Sequence, residues 1–136
     1  MMPEYIIVDS NFLLRILTGE PEPLVSKAKK LLIKSKNGGV AIIVLPIVIA
    51  ETVYTLKSFY KIGRKDIAKK FLSLLKSYDL QVEDYDTIID AFIRYQNHNV
   101  DFEDAYLAAV AYNRKQKVAS FDRDLRKFSD IECVEL

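Results

Sequence analysis

Apolar residues form two kinds of run along the chain, and these predict strands and helices in turn. Short continuous runs rich in β-branched residues occur at Tyr5–Val8 and Val40–Leu45. Such runs are typical of parallel strands that are buried on both faces. Longer stretches with apolar residues three or four apart, such as Leu24–Lys36 and Lys65–Ser77, predict amphipathic helices. Strands that alternate with helices predict an α/β fold built on a parallel sheet.

The order of these elements is that expected of one domain over residues 1–136 with an α/β/α arrangement of three layers. We expect a central parallel sheet of four to five strands, with the strand at 5–8 fully buried near its centre. The predicted elements are, in chain order, a strand at 5–8, helices at 11–17 and 24–36, a strand at 40–45, helices at 46–60 and 65–77, a strand at 79–82, helices at 85–96 and 101–115, a strand at 118–120, a short helix at 122–128 and a strand at 132–134.

The composition narrows the classes of function. With 20 basic and 19 acidic side chains the net charge is +1, so any nucleic-acid binding must come from local patches. A single cysteine, Cys133, and a single histidine, His98, exclude an intrachain disulfide and a multi-histidine or cysteine metal site. The N-terminus has no signal-peptide pattern, and the apolar run at Val40–Ala50 is too short for a membrane span. We therefore expect a cytoplasmic protein with no membrane partner.

Two acids in the first half of the chain occur in apolar surroundings. Asp9 directly follows the first predicted strand, where a parallel sheet commonly places its ligands. A helix cap explains Asp9 equally well, because Asp is a preferred N-cap residue and both roles can coexist. Glu51 interrupts the apolar segment Ile47–Val53, and a glutamate is seldom buried unless it is paired. The alternative for Glu51 is the exposed stripe of a helix.

Two pairs of acids follow in the second half. Asp101 and Asp104 begin the alanine-rich helix and are three residues apart, which puts them on one helical face. Favourable charge in a first helical turn is the alternative, and it suits Asp101 better than Asp104. Asp122 and Asp124 follow the predicted strand at 118–120, where capping is again the simple explanation.

Taken together, these acids indicate a metal site. Asp9, Glu51, Asp104 and Asp122 each occur at a strand end or in an apolar helix that can face the same edge of the sheet. Carboxylates gathered without a cation would repel one another and take up protons. Mg²⁺ or Mn²⁺ resolves this repulsion, because hard cations prefer carboxylate oxygens and water. One or two such ions could support cleavage of a phosphodiester.

The four segments that carry these acids resemble the PIN-domain ribonucleases, and most closely the VapC-type toxins of prokaryotic toxin–antitoxin pairs. The resemblance lies in IIVDSNFLLRIL, PIVIAETVYTL, VDFEDAYLAAVA and VASFDRDL, which occur in the order and spacing of the family motifs. It implies a parallel sheet, cleavage of single-stranded RNA that depends on Mg²⁺ or Mn²⁺, commonly a homodimer, and a small antitoxin protein as partner.

The resemblance also implies roles for individual residues. Asp9, Glu51, Asp104 and Asp122 would hold the metal. The accessory residues would be Asp101 and Asp124 as outer acids, with Ser10, Asn11 and Ser120 positioning water or giving supporting hydrogen bonds. A PIN-fold RNA-processing nuclease and a non-catalytic PIN scaffold or RNA-binding module remain alternatives. A different α/β enzyme, such as a phosphatase or a receiver-like domain, would also use acids at strand ends.

RNA would be held by basic side chains near these motifs. The candidates are Arg15, Lys57, Arg123 and Arg126. Ion pairing is an equal alternative for Arg15, while a solvated helix face explains most other lysines, including Lys29 and Lys30.

Overall fold

The computed structural model describes residues 3–136, which divide into two compact units. The N-terminal unit extends to Glu83, and the C-terminal unit is Asp84–Leu136. The N-terminal unit contains β1 (Glu4–Ile7), α1 (Ser10–Thr18), α2 (Glu22–Lys36), β2 (Val40–Val44), α3 (Pro46–Ser58), α4 (Arg64–Ser77) and β3 (Leu80–Val82). The C-terminal unit contains α5 (Tyr85–Asn97), α6 (Phe102–Arg114), β4 (Val118–Ala119), a 3-10 helix (Arg123–Lys127) and β5 (Cys133–Val134).

The predicted class is confirmed, because the strands are parallel and alternate with helices in both units. Hydrogen bonds join β1, β2 and β3 in that order into one sheet, and β4 with β5 into another. The described strands thus form one sheet of three strands and one of two, whereas the sequence predicted a single sheet of four to five strands. The expectation of a single domain over 1–136 stays a prediction, and each unit is described by itself.

The predicted burial of β1 is wrong. In the three-stranded sheet β2 is the middle strand and β1 lies at an edge, with Tyr5 57% exposed and Ile7 64% exposed. Side chains alternate between the two faces of a strand. The face of Tyr5 and Ile7 is therefore open, while Val8, on the opposite face, is buried in the core. Because both alternating sets of β1 are apolar, the sequence alone could not show that one face is open.

The helices of the N-terminal unit pack around buried β2. Asp9 caps α1, since its Oδ1 accepts a hydrogen bond from the backbone N–H of Phe12 at 3.0 Å. Gly19 ends α1 with a left-handed φ of 71°, which glycine adopts without steric cost. Pro46 begins α3 directly after β2, where its missing N–H costs nothing. The fully buried side chains of this unit include Ile42, Val44, Ile49, Leu56, Ile67 and Phe71.

The C-terminal unit is built on the close packing of α5 against α6. Small side chains on α6, at Ala105, Ala108 and Ala109, are fully buried and let the two helix backbones approach. The ring centroids of Phe92 on α5 and Phe102 on α6 lie 4.8 Å apart. One face of α6 is thus buried, whereas Leu107 and Tyr112 elsewhere on the helix are 46% and 53% exposed.

A buried arginine connects α5 to the segment that follows the 3-10 helix. Arg94 is 6% exposed and donates two hydrogen bonds to the carboxylate of Asp130, at 2.8 and 2.6 Å. Its Nε also donates to Asp90 at 3.1 Å, and its guanidinium lies 5.3 Å from the ring centre of Phe128. The hydrogen bond to Asp130 raises the pKa of Arg94, and that arginine in turn lowers the pKa of Asp130. This ion pair ties the end of the segment bearing Asp122 and Asp124 to a helix.

In the part of the chain that the structure describes, no helix is both long enough and apolar enough to cross a bilayer.

Candidate metal centre

Three carboxylates of the C-terminal unit come together in a group that we call the acid cluster: Asp104, Asp122 and Asp124. One carboxylate oxygen from each lies within 4.8 Å of the others. Asp104 projects from the first turn of α6, while the other two belong to the turn after β4. Asp104 and Asp124 are partly buried and Asp122 is exposed, so the cluster is accessible from solvent.

Asp104 is the acid of the cluster whose pKa is raised by its surroundings. Burial raises the pKa of its carboxyl, and the nearby charges of Asp122, Asp101, Asp124 and Glu103 raise it further. A cation placed among these oxygens would remove that penalty, because an opposite charge favours the ionised form. The donor set is oxygen only and therefore suits a hard divalent ion such as Mg²⁺ or Mn²⁺.

Side-chain hydrogen bonds fix the turn that supplies two of the three acids. The backbone N–H of Asp122 donates to Ser120 Oγ at 2.9 Å, and the N–H of Asp124 donates to Asp122 Oδ1 at 2.9 Å. Asp122 thereby caps the 3-10 helix, as the simpler sequence interpretation allowed. One oxygen of Asp122 is used for this cap, and the carboxylate retains further acceptor capacity.

The other two predicted metal acids belong to the N-terminal unit. Asp9 is exposed and caps α1, and Glu51 is exposed on α3. The strand ends that lead into α1 and α3 are neighbours, because β1 pairs with β2 in parallel and α1 contacts α3. Glu51 shares its exposed face with Ile47 and Tyr54, which are 75% and 71% exposed. Glu51 is therefore exposed on a stripe of α3, and the metal role of Asp9 and Glu51 stays a prediction.

The accessory residues fall in both units. Asp101 is the N-cap residue of α6 and acts on the cluster through the raised pKa of Asp104. Ser10 and Asn11 begin α1, next to Asp9. Ser120 Oγ accepts the backbone N–H of Asp122 and so supports the turn, while its accessory role at a metal site stays a prediction.

The candidate RNA-binding residues also belong to both units. Arg15 Nη2 donates to the hydroxyl of Tyr60 at 2.9 Å, so it is positioned by a neutral partner within its unit. Lys57 is exposed in the last turn of α3. Arg123 and Arg126 are exposed on the 3-10 helix, directly beside two acids of the cluster.

Charge is unevenly shared between the units, although the chain is nearly neutral. The N-terminal unit has 13 basic and 8 acidic side chains, a net charge of +5, and the C-terminal unit has 7 basic and 11 acidic ones, a net charge of −4. An open groove of about 810 Å³ in the N-terminal unit is lined in part by Lys61, Lys69 and Lys70. The unit without the acid cluster therefore has the stronger attraction for phosphate.

Sequence reasoning missed two features of the C-terminal unit. Phe121 is 91% exposed beside Asp122, and the only local signal is a large apolar residue inside the polar stretch SFDRD. Asp124 was predicted as an outer acid, but the 3-10 turn brings its carboxylate into the cluster itself. The sequence predicted a short helix at 122–128, but five residues show no hydrophobic periodicity that would reveal its 3-10 geometry.

The fold and the cluster define an α/β protein with a carboxylate site suited to a divalent metal. The family model described as the PIN domain matches residues 6–131, and the chain belongs to this family. PIN domains are generally nucleases that depend on divalent metal ions.

Among solved structures, the chain is similar to the "Crystal Structure of FitAcB from Neisseria gonorrhoeae". The identity is 16%, with 95% of this chain and 96% of that chain covered, and the TM-score is 0.35. At that TM-score the similarity carries no argument about this chain. The comparison with curated proteins found no match.

Proposed function

We propose that this protein is an endoribonuclease that cleaves single-stranded RNA with Mg²⁺ or Mn²⁺, and that it is the toxin of a toxin–antitoxin pair. The observation that carries the nuclease proposal is the acid cluster, whose three carboxylates approach within 4.8 Å in a chain of the PIN family. The raised pKa of Asp104 supports it, because such a cluster stabilises a bound cation more than an isolated acid does.

In this proposal Asp9, Glu51, Asp104 and Asp122 hold one or two metal ions, assisted by Asp124. A bound Mg²⁺ or Mn²⁺ would activate a water molecule and stabilise the leaving oxygen of the phosphodiester. The chain's own contribution would be to position these carboxylate oxygens around the ion.

The supporting residues act through position. Ser120 Oγ and Asp122 Oδ1 accept backbone N–H groups and so hold the turn of the cluster in place. Asp9 accepts the N–H of Phe12 with one oxygen, which orients its carboxylate at the start of α1. Asp101 adds negative charge near Asp104, and Ser10 and Asn11 would bind water next to Asp9.

The nuclease proposal is tested by incubating purified protein with a labelled single-stranded RNA. We expect cleavage with Mg²⁺ or Mn²⁺ that EDTA abolishes. Asp9→Asn and Asp104→Asn should each lower kcat by at least about 100-fold, since metal ligands act directly in the chemistry. Asp86→Asn, an exposed acid in the first turn of α5, is the matched control and should cleave normally. Wild-type rates for purified Asp9→Asn would exclude a metal-holding role for Asp9.

The toxin role has a separate test. Expression of the protein in a bacterial host should arrest growth, and the Asp104→Asn variant should not. Co-expression of any small protein encoded beside it should restore growth, and failure of every such protein to do so would exclude an antitoxin encoded there. Robust RNA cleavage without growth arrest would favour an RNA-processing nuclease, and metal binding without cleavage of any RNA would favour a scaffold.

The proposed activity is cytoplasmic, where its RNA substrate is found. We further propose a homodimer, which analytical sedimentation would test.

A further inference from the structure

Phe121 is the most exposed of the large apolar side chains that the structure describes, at 91%. It lies in the turn between β4 and the 3-10 helix, with Ser120 before it and Asp122 after it. Single apolar residues on a surface are common and by themselves mean little. Phe121 differs from these because its neighbours in the chain belong to the acid cluster and its support.

The backbone on the C-terminal side of Phe121 is held in place. Ser120 Oγ bridges across it to the N–H of Asp122 at 2.9 Å, so that Phe121 is the residue enclosed by this hydrogen bond. The 3-10 helix that follows is anchored by Leu125, which is 1% exposed, and Phe128, which is 3% exposed. The phenyl ring is therefore presented from a constrained turn, and little backbone freedom remains to be lost when a ligand binds it.

The charges around the ring indicate what kind of ligand it would take. Asp122 lies on one side, within the proposed metal centre, and the exposed Arg123 follows directly. A nucleotide combines a flat aromatic face with a phosphate, so one molecule could meet the ring, the metal and the arginine together. A partner protein that bound here instead would need an apolar patch for the ring next to basic groups that tolerate the acid cluster.

We propose that Phe121 stacks on a base of single-stranded RNA next to the phosphate that is cleaved. This inference rests on the proposed ribonuclease function and adds to it a residue that contacts the substrate. A base inside a duplex is stacked on both faces and cannot receive the ring, so Phe121 would favour unpaired RNA. Because every base has an aromatic face, the contact would be tolerant of sequence.

The first test measures substrate affinity. Stacking on an aromatic side chain contributes about 1–3 kcal/mol per base, so Phe121→Ala should raise KM about 5- to 150-fold. The Mn²⁺ affinity and the Tm should not change, and Phe121→Tyr should restore most of the affinity. Ile93→Ala removes another exposed apolar side chain of the same unit, 45% exposed on α5, and should leave KM unchanged.

The second test observes the stack directly. The natural chain contains no tryptophan, so Phe121→Trp introduces a single indole fluorophore. A single-stranded oligoribonucleotide in Ca²⁺, chosen to permit binding with little cleavage, should quench that fluorescence. One abasic position in the oligonucleotide should relieve the quenching, and a duplex of the same sequence should fail to produce it. Ile93→Trp is the control and should respond to neither RNA.

The outcomes separate this inference from the function on which it rests. If wild type cleaves RNA and Phe121→Ala has the same KM, the stacking role is wrong while the nuclease stands. If RNA quenches Phe121→Trp but wild type cleaves nothing, the nuclease is wrong while the stacking contact stands. If Phe121→Ala instead converts a dimer to a monomer and binds RNA normally, Phe121 is an interface residue and the inference is overturned.

Discussion

Asp104 shows how a single carboxylate can be destabilising in the folded protein and useful to it. Its pKa is raised, first by burial and then by the charges of the other acids around it. An acid whose folded pKa exceeds its unfolded value binds protons more tightly when folded, so this group adds stability as the pH falls through the folded pKa. Near neutral pH its ionised form opposes folding, and a bound cation would reverse that effect.

Asp104→Asn should therefore raise the Tm of the metal-free protein near pH 7, since it removes one of the repelling charges. The gain should shrink as the pH falls through the raised pKa of Asp104, because wild type then loses the same charge by protonation. Millimolar Mg²⁺ or Mn²⁺ should stabilise wild type by about 2.7 kcal/mol at 100 times Kd, and Asp104→Asn far less. Thermal unfolding in EDTA and in metal measures both effects, and a lower Tm for Asp104→Asn in EDTA would contradict the repulsion.

At the scale of elements, most helices could be placed from sequence because their apolar residues recur with helical spacing. For α4 the pattern predicted residues 65–77 and the helix is Arg64–Ser77. β1 was different, because Tyr5 and Ile7 are apolar yet exposed, and an unbroken apolar run does not reveal which face is covered. The bond between Arg94 and Asp130 joins residues 36 apart in the chain, and no local pattern signals it.

The candidate site was predictable to a similar degree. Strand ends and residue types were enough to select Asp104 and Asp122, because parallel strands and their helices place such acids at one edge. They were not enough to place Asp124, whose position depends on the short 3-10 turn, or to select Phe121, whose exposure depends on how that turn packs.

The Arg94–Asp130 pair should stabilise the segment that carries the acid cluster. Asp130→Asn leaves the nearly buried guanidinium with Asp90 as its remaining carboxylate partner, and should cost about 1–2 kcal/mol after allowance for the exposure of Asp130. The folded pKa of Asp130 is lowered, so its stabilisation is present above about pH 4 and is lost as the pH falls through that lowered pKa.

Urea unfolding at pH 7 and at several acidic pH values measures this contribution. Asp84→Asn, which removes the exposed bridge to Arg114 in the same unit, is the matched control and should cost less than about 1 kcal/mol. Equal losses for the two variants at pH 7 would show that burial of Arg94 adds nothing to its ion pair.

At the scale of the whole molecule, acidic and basic side chains are divided unevenly between the two units. The C-terminal unit is acidic and contains the acid cluster, whereas the N-terminal unit has a net charge of +5 and a lysine-lined groove. Affinity for RNA phosphates falls with salt because bound lysine and arginine release counterions from the strand. We therefore expect the salt dependence of RNA binding to come chiefly from basic residues of the N-terminal unit.

The double variant Lys57→Gln with Lys61→Gln should weaken binding of single-stranded RNA. It should also reduce the slope of log K against log salt by roughly 0.7 for each phosphate that the protein no longer neutralises. Lys29→Gln with Lys30→Gln removes the same charge from the exposed face of α2 and should leave the slope nearly unchanged. Fluorescence anisotropy over roughly 50 to 300 mM salt, a range in which the screening length shortens, gives both slopes. Indistinguishable slopes for the two double variants would assign the effect to net charge alone.

The opposite charges of the two units also bear on how the protein behaves in concentrated solution. A net charge of +1 gives little overall repulsion between molecules, yet each molecule offers one positive and one negative region to its neighbours. Copies should attract one another through these regions over a range of about 10 Å at 0.1 M salt, and less as salt is added. Static light scattering should then give a negative second virial coefficient in dilute buffer that rises with ionic strength, so that the protein is more soluble in moderate salt than in water.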